Sequence, residues 1–161
     1  MHRSPRPARL RPRTLPAALL AATVICGTVV AATGCAPSPL NQARLELDGD
    51  LELTVEIAET PEQQRTGLSG RASVEPGTGM LFPFDSAGPQ RVWMAGMSFP
   101  IDIAWIRDGR VLATATLPVC TTPDPDDCPR WESPGDVDAL LETTAGALDA
   151  IEPGALVRTT D

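Results

Sequence analysis

Two hydrophobic patterns divide the chain. From Leu15 to Ala32 apolar residues run almost unbroken behind Arg3, Arg6, Arg9, Arg11 and Arg13. A basic head, an apolar middle and the small residues Ala32-Thr33-Gly34 predict an export leader and not part of a fold. Retention as a single membrane anchor is the alternative, because the run is close to the length a bilayer needs. From Arg44 the pattern becomes alternating. Leu45 and Leu47, then Leu51, Leu53, Val55 and Ile57, alternate with polar neighbours across a Gly49-Asp50 turn. Period two predicts a hairpin with one buried face. Thr60, Pro61 and Gln63 then give the cap, first-turn proline and capping-box signals of a helix start, with Gly67 and Gly70 ending it.

Further strands are predicted at Gly79–Phe82, broken by Pro83, and at Arg91–Met94. Ile101–Arg107 and Arg110–Leu117 flank Asp108-Gly109, a dipeptide suited to the positive φ of a tight hairpin turn. Pro118–Gly135 reads as a long acidic, proline-rich loop, with residues 121–127 able to form neither helix nor strand. Val137–Glu142 predicts a strand and Thr144–Ile151 a short helix. After the Pro153-Gly154 turn, Ala155–Arg158 predicts a last strand. The expected fold is α+β and mostly β: a small, partly open β-barrel or sheet domain of about seven strands and two short helices. The expected division is a leader over 1–34, a tether over 35–43 and one domain over 44–161.

Cleavage after Gly34 would leave 127 of the 161 residues (161 less 34), enough for one core. The chain has 13 arginines and no lysine; with five lost in the leader, eight remain against 21 acidic residues, a net of −13. That balance argues against nucleic acid and other polyanionic partners. The sole histidine, His2, lies in the leader, so serine–histidine, cysteine–histidine and histidine–zinc chemistry are excluded from the mature chain.

The segment Ala32-Thr33-Gly34-Cys35 resembles the lipobox of bacterial lipoproteins. The resemblance implies that Cys35 is lipidated and that the domain is exported and held to the outer face of a membrane. Cys26 is the competing position, but bulky Val24 and Ile25 precede it. Cys120 and Cys128 remain as an even pair, expected to form a disulfide in an oxidising compartment. A redox pair or a thiolate metal site is the alternative.

Three ordered blocks carry a second resemblance. They are Arg65-Thr66-Gly67-Leu68-Ser69-Gly70-Arg71, Gly79-Met80-Leu81-Phe82-Pro83-Phe84, and Trp93-Met94-Ala95-Gly96-Met97-Ser98-Phe99-Pro100-Ile101-Asp102-Ile103. They are similar to the R-x-x-G-L-M-x-R, G-M-L-F-x-F and W-M-K-N-T-x-I-P-L-D-I motifs of the DUF192 (UPF0127) family. Leu141-Glu142 followed by Ala145-Gly146 is similar to its closing L-E-x-x-x-G. The likeness covers Leu45 to Arg158 and implies the family's fold, without an established biochemical function. This chain has Ser69 in place of methionine and Ala95-Gly96-Met97 in place of Lys-Asn-Thr.

Candidate chemistry is sparse. Arg65, Arg71, Arg91 and Asp102 could line a cleft for a polar or anionic ligand, or form an internal ion pair such as Arg71 with Asp102. Carboxylate pairs could hydrolyse glycosides without histidine. Asp124, Asp126 and Asp127 could take Ca²⁺, although Pro125 interrupts them. Met80, Met94 and Met97 could offer thioethers to Cu(I), or fill the core. Trp93, Phe99 and Trp105 read as core aromatics, with a place at a cleft mouth, stacking on a sugar or partner, as the alternative for one of them. No catalytic residue, metal or cofactor is expected. The expected role is a non-catalytic binding or accessory module of the cell envelope; an enzyme of envelope glycans or small polar molecules, or a copper-handling protein, is the alternative.

Overall fold

The computed structural model describes residues 39–160. The leader, Cys35 and the start of the tether lie outside them. The chain order is β1 (Asn41–Leu47), β2 (Leu51–Ile57), α1 (Pro61–Thr66), β3 (Thr78–Gly88), β4 (Arg91–Trp93), β5 (Ile101–Arg107), β6 (Arg110–Leu117), β7 (Arg130–Glu132), β8 (Val137–Thr144) and β9 (Val157–Thr160). Seven strands form one sheet in the order β6-β5-β8-β3-β2-β1-β9; β4 and β7 form a separate ribbon. The domain is mostly β, as the alternation predicts. No helix among the described residues is long and apolar enough to cross a membrane.

The large sheet curls until its edges meet. Arg110 bridges Leu156. Val111 N–H donates to the Ala155 carbonyl at 3.0 Å, and Val157 N–H donates to the Gly109 carbonyl at 2.9 Å. The result is a partly closed barrel. The β5–β6 turn works as its sequence requires, with positive φ at Asp108 (49°) and Gly109 (67°).

Alternation along the strands sorts the apolar side chains into two clusters. Leu45, Leu47, Leu53, Val55, Ala104, Ile106, Val111, Leu141 and Leu148 fill the barrel interior. Leu68, Met80, Phe82, Met94, Ile101, Ile103, Trp105 and Leu140 form a second core on the other face of β3, β5 and β8, beneath the long connections. The two faces together explain why β5 is buried from Ile101 through Ile106.

Several elements differ from expectation, each for a local reason. β1 begins at Asn41 and takes in the last residues assigned to the tether. β3 continues through Pro83 to Gly88. Its pairing with β2 ends at Leu81, so the missing proline N–H removes no bond on that side. The helix expected over Thr144–Ile151 is a run of turns. Gly146 sits at φ 87°, and Ala147 N–H donates to the Thr144 carbonyl, closing a four-residue turn. Leu148 N–H, which would donate to Thr144 in an α-helix, is taken by the Asp102 carboxylate at 2.9 Å. The last strand starts two residues late, because Ala155 and Leu156 bond to β6 to close the barrel. Within the long loop, Pro125–Asp127 makes one 3₁₀ turn capped by Asp124.

That loop also holds β7, which pairs with β4 through Arg91 with Glu132, Val92 with Trp131 and Trp93 with Arg130. Cys120 and Cys128 are joined, with sulfurs 2.06 Å apart and Cα atoms 5.7 Å apart. The bond closes a short loop just before β7. Cys120→Ser is expected to lower unfolding stability by about 2–3 kcal/mol while leaving the fold intact. Chemical denaturation with and without reductant checks this. A wild type indifferent to reductant would show that no such bond forms in solution.

Candidate functional site

A cleft of about 420 Å³ opens on the outer core. One wall is the end of α1 and the loop after it. The capping box forms as its residues predict: Gln63 N–H donates to Thr60 Oγ1 at 3.2 Å, and Thr60 N–H donates to Gln63 Oε1 at 2.9 Å. Gln64 ties the helix to the sheet by donating to the Ala58 and Pro83 carbonyls at 3.1 and 2.8 Å. Leu68 then plugs into the core at 2 % exposure.

The opposite wall is β4 and the turn after it. Gly96 holds φ 77°, and a Cβ there would collide with Ser69 Oγ. The two walls are laced together by one main-chain and two serine hydroxyl hydrogen bonds. Gly70 N–H donates to the Gly96 carbonyl at 3.1 Å, Ser69 Oγ to the Ala95 carbonyl at 3.3 Å, and Ser98 Oγ to the Arg71 carbonyl at 3.1 Å. A positive φ also suits Asn, the residue at the Gly96 position in the similar motif.

Phe82, Leu140, Met94, Met97 and Ile101 supply apolar lining, and Gln64, Gln90, Arg65 and Arg91 supply polar edges. The remaining charged group on the lining is Glu142, 8 % exposed. In the sheet it lies between Met80 of β3 and Ile103 of β5, both almost fully buried. Among the described residues, no hydrogen bond reaches its carboxyl group. Burial raises its pKa from 4.5 to about 7, with the Arg71 guanidinium pulling the other way. Arg71 cannot neutralise it fully, because Arg71 itself is bonded to Glu56.

The sequence-predicted charged residues are not brought together as one pair. Arg71 meets Glu56, not Asp102. Asp102 points into the barrel, 2 % exposed, and accepts from Thr116 Oγ1 at 2.7 Å and from Leu148 N–H at 2.9 Å. Its role is structural: both oxygens are satisfied. Arg91 bonds to Glu132 at 2.8 Å on the surface. Arg65 lines the cleft and forms no ion pair among the described residues. Met80, Met94 and Met97 all pack in the outer core; only Met94 and Met97 reach the cleft. Asp124 caps its own turn through Asp126 N–H at 3.0 Å, and no cluster of three metal-ligating His, Cys, Asp or Glu residues assembles among the described residues. Trp105 is core at 3 % exposure and Phe99 packs against that core, whereas Trp93 is 43 % exposed at the cleft with Arg130 stacked 4.7 Å from its ring. Trp93 is thus a rim residue, contrary to its reading as core.

The motif segments, scattered over almost forty residues of sequence, converge on this cleft. The family model DUF192, described as "Uncharacterized ACR", matches residues 43–159. The chain belongs to the DUF192 family. Among solved structures, it is similar to a protein provisionally described as a transcription regulator from Sinorhizobium meliloti, with 28% identity and a TM-score of 0.67 over 75% of this chain and 95% of that one. It is also similar to a protein of unknown function from Novosphingobium aromaticivorans, with 26% identity and a TM-score of 0.67 over 76% of this chain and 88% of that one. Among curated proteins none matches.

Glu142 is the site residue that motif matching noticed but did not assign. The signal was an acid in a strand otherwise continuing Val137, Leu140 and Leu141. Its titration gives a testable sign. The folded protein keeps the proton between the ordinary and the raised pKa, while the unfolded chain releases it. This DUF192 domain should therefore lose stability as pH rises from about 4.5 to about 7, by about 3 kcal/mol, and change little from this group above that. Glu142→Gln should flatten that slope and leave the variant more stable than wild type at neutral and alkaline pH. Urea denaturation of both proteins across this range checks it; parallel pH profiles would contradict it.

Proposed function

We propose that this DUF192 protein is an exported, lipid-anchored module that binds a small ligand in the cleft and performs no chemistry on it. The observation that carries this reading is Glu142, a buried carboxyl without a protein hydrogen-bond donor among the described residues, on the lining of a cleft whose walls are polar and apolar in about equal measure. Its oxygens are met by the cleft and not by a protein donor, so a molecule entering the cleft can hydrogen-bond them directly. Hydrolysis of a glycosidic bond needs two carboxyl groups flanking it; among the described residues Glu142 is the single acid on the cleft lining.

The anchor rests on the Arg-rich leader and on Ala32-Thr33-Gly34-Cys35. The disulfide supports an oxidising compartment. A DNA-directed role, which the description of one structural neighbour would raise, calls for a basic face; the whole chain carries a net charge of −8, and removal of the leader makes it more acidic.

Two measurements test the reading. Cys35→Ala should move the protein from the membrane to the soluble extracytoplasmic fraction; unchanged membrane retention would instead favour an uncleaved helix. Ala95→Trp places a bulky ring at the cleft wall, where Ala95 is half-buried. It should leave the unfolding temperature nearly unchanged and abolish the thermal shifts that small-molecule binders give the wild type. Hits that persist in the blocked variant would place binding elsewhere.

A further inference from the structure

Resting on the cleft as a ligand site, we propose that its occupant is a small organic carboxylate with an apolar body, and that Glu142 meets it as a hydrogen-bond donor. The charges around the cleft argue for an anion. Arg65 and Arg91 line it against the single acid Glu142. Arg130 stands over the rim at Trp93, and the field of Arg71 reaches Glu142. Arg91 and Arg71 are each paired with a glutamate, so the excess positive charge at the cleft comes from Arg65 and Arg130, which form no ion pair among the described residues, on a chain of net charge −8. An ammonium ligand would have to enter among these guanidinium groups.

Glu142 completes the argument. Its strand neighbours Met80 and Ile103 bring no charge to it. From β2, Glu56 is held by Arg71; from β4, Arg91 is held by Glu132 of β7; from α1, Arg65 is available at the edge. Asp102 of β5 faces the barrel interior and is fully bonded there. A neutral Glu142 carboxyl can donate its O–H to a carboxylate oxygen, and such a charge-assisted bond is about twice as strong as a neutral one. An added carboxylate also makes ionisation of Glu142 harder, so binding and proton retention reinforce each other. The walls from Phe82, Leu140, Met94 and Ile101 call for an apolar body on the same molecule.

The test compares three molecules of one shape: 3-phenylpropanoate, 3-phenylpropylammonium and 3-phenylpropanol. Each is titrated calorimetrically into the full chain in a non-ionic detergent. The carboxylate should bind tightest at about pH 6 and about tenfold more weakly at about pH 8, following the protonated fraction of Glu142. Arg65→Ala should weaken it at both values. Glu142→Gln, whose amide still donates, should bind it with no such pH dependence; near-ultraviolet circular dichroism confirms that this variant is folded. Preference for the ammonium or the alcohol, abolished by Ala95→Trp, would overturn the carboxylate while keeping the cleft as a site. Binding that survives Ala95→Trp would sink both, and no binding of any of the three at pH 6 would overturn the carboxylate proposal.

Discussion

Side chains on neighbouring residues of a strand point to opposite faces, and in β5 and β8 both faces are buried. That constraint governs the interior and the cleft alike. Along β5, Ile101, Ile103 and Trp105 go to the outer core; Asp102, Ala104 and Ile106 go into the barrel. Along β8, Leu140 and Glu142 face outward, and Leu141 faces inward. A shift of one residue in register would exchange every pair and place Glu142 inside the barrel.

The same constraint produces two buried acids with opposite fates. Asp102 meets a threonine hydroxyl and a backbone N–H, and in doing so bends Thr144–Ile151 away from a helix. Glu142 meets apolar neighbours and a guanidinium that already has a partner. One carboxyl group organises the fold around itself. The other is reached by no protein donor among the described residues and faces the cleft. Burial alone does not distinguish structural from functional acids; the inventory of donors around each one does.

Much of the architecture was legible from local signals. Period-two runs marked β1 and β2, and the apolar runs on either side of Asp108-Gly109 marked β5, β6 and their hairpin, because these depend on side-chain burial and on positive φ. The capping box at Thr60 did the same for α1. What failed were features decided at long range. Thr144 looked like a helix cap until Asp102, more than forty residues away, claimed the N–H of Leu148. β7 had no pattern of its own, since three residues become a strand only when β4 lies beside them. For the site, the expected Arg71–Asp102 pair failed because Asp102 falls on the barrel face of β5, where Thr116 and Leu148 take it, while Arg71 meets Glu56. Glu142 stood in plain view in a matched motif, but its isolation depends on Met80 and Ile103, which only the sheet order brings alongside.

Barrel closure joins the two ends of the described chain: β1 pairs with β9, and Leu156 bridges β6. The first strand therefore lacks one of its two neighbours until the last dozen residues have been synthesised. Most other pairings also span large sequence separations, which places this topology among the slow folders. A nascent chain of this kind keeps an unzipped seam throughout its synthesis, and takes its final shape only once the final strand arrives to close it.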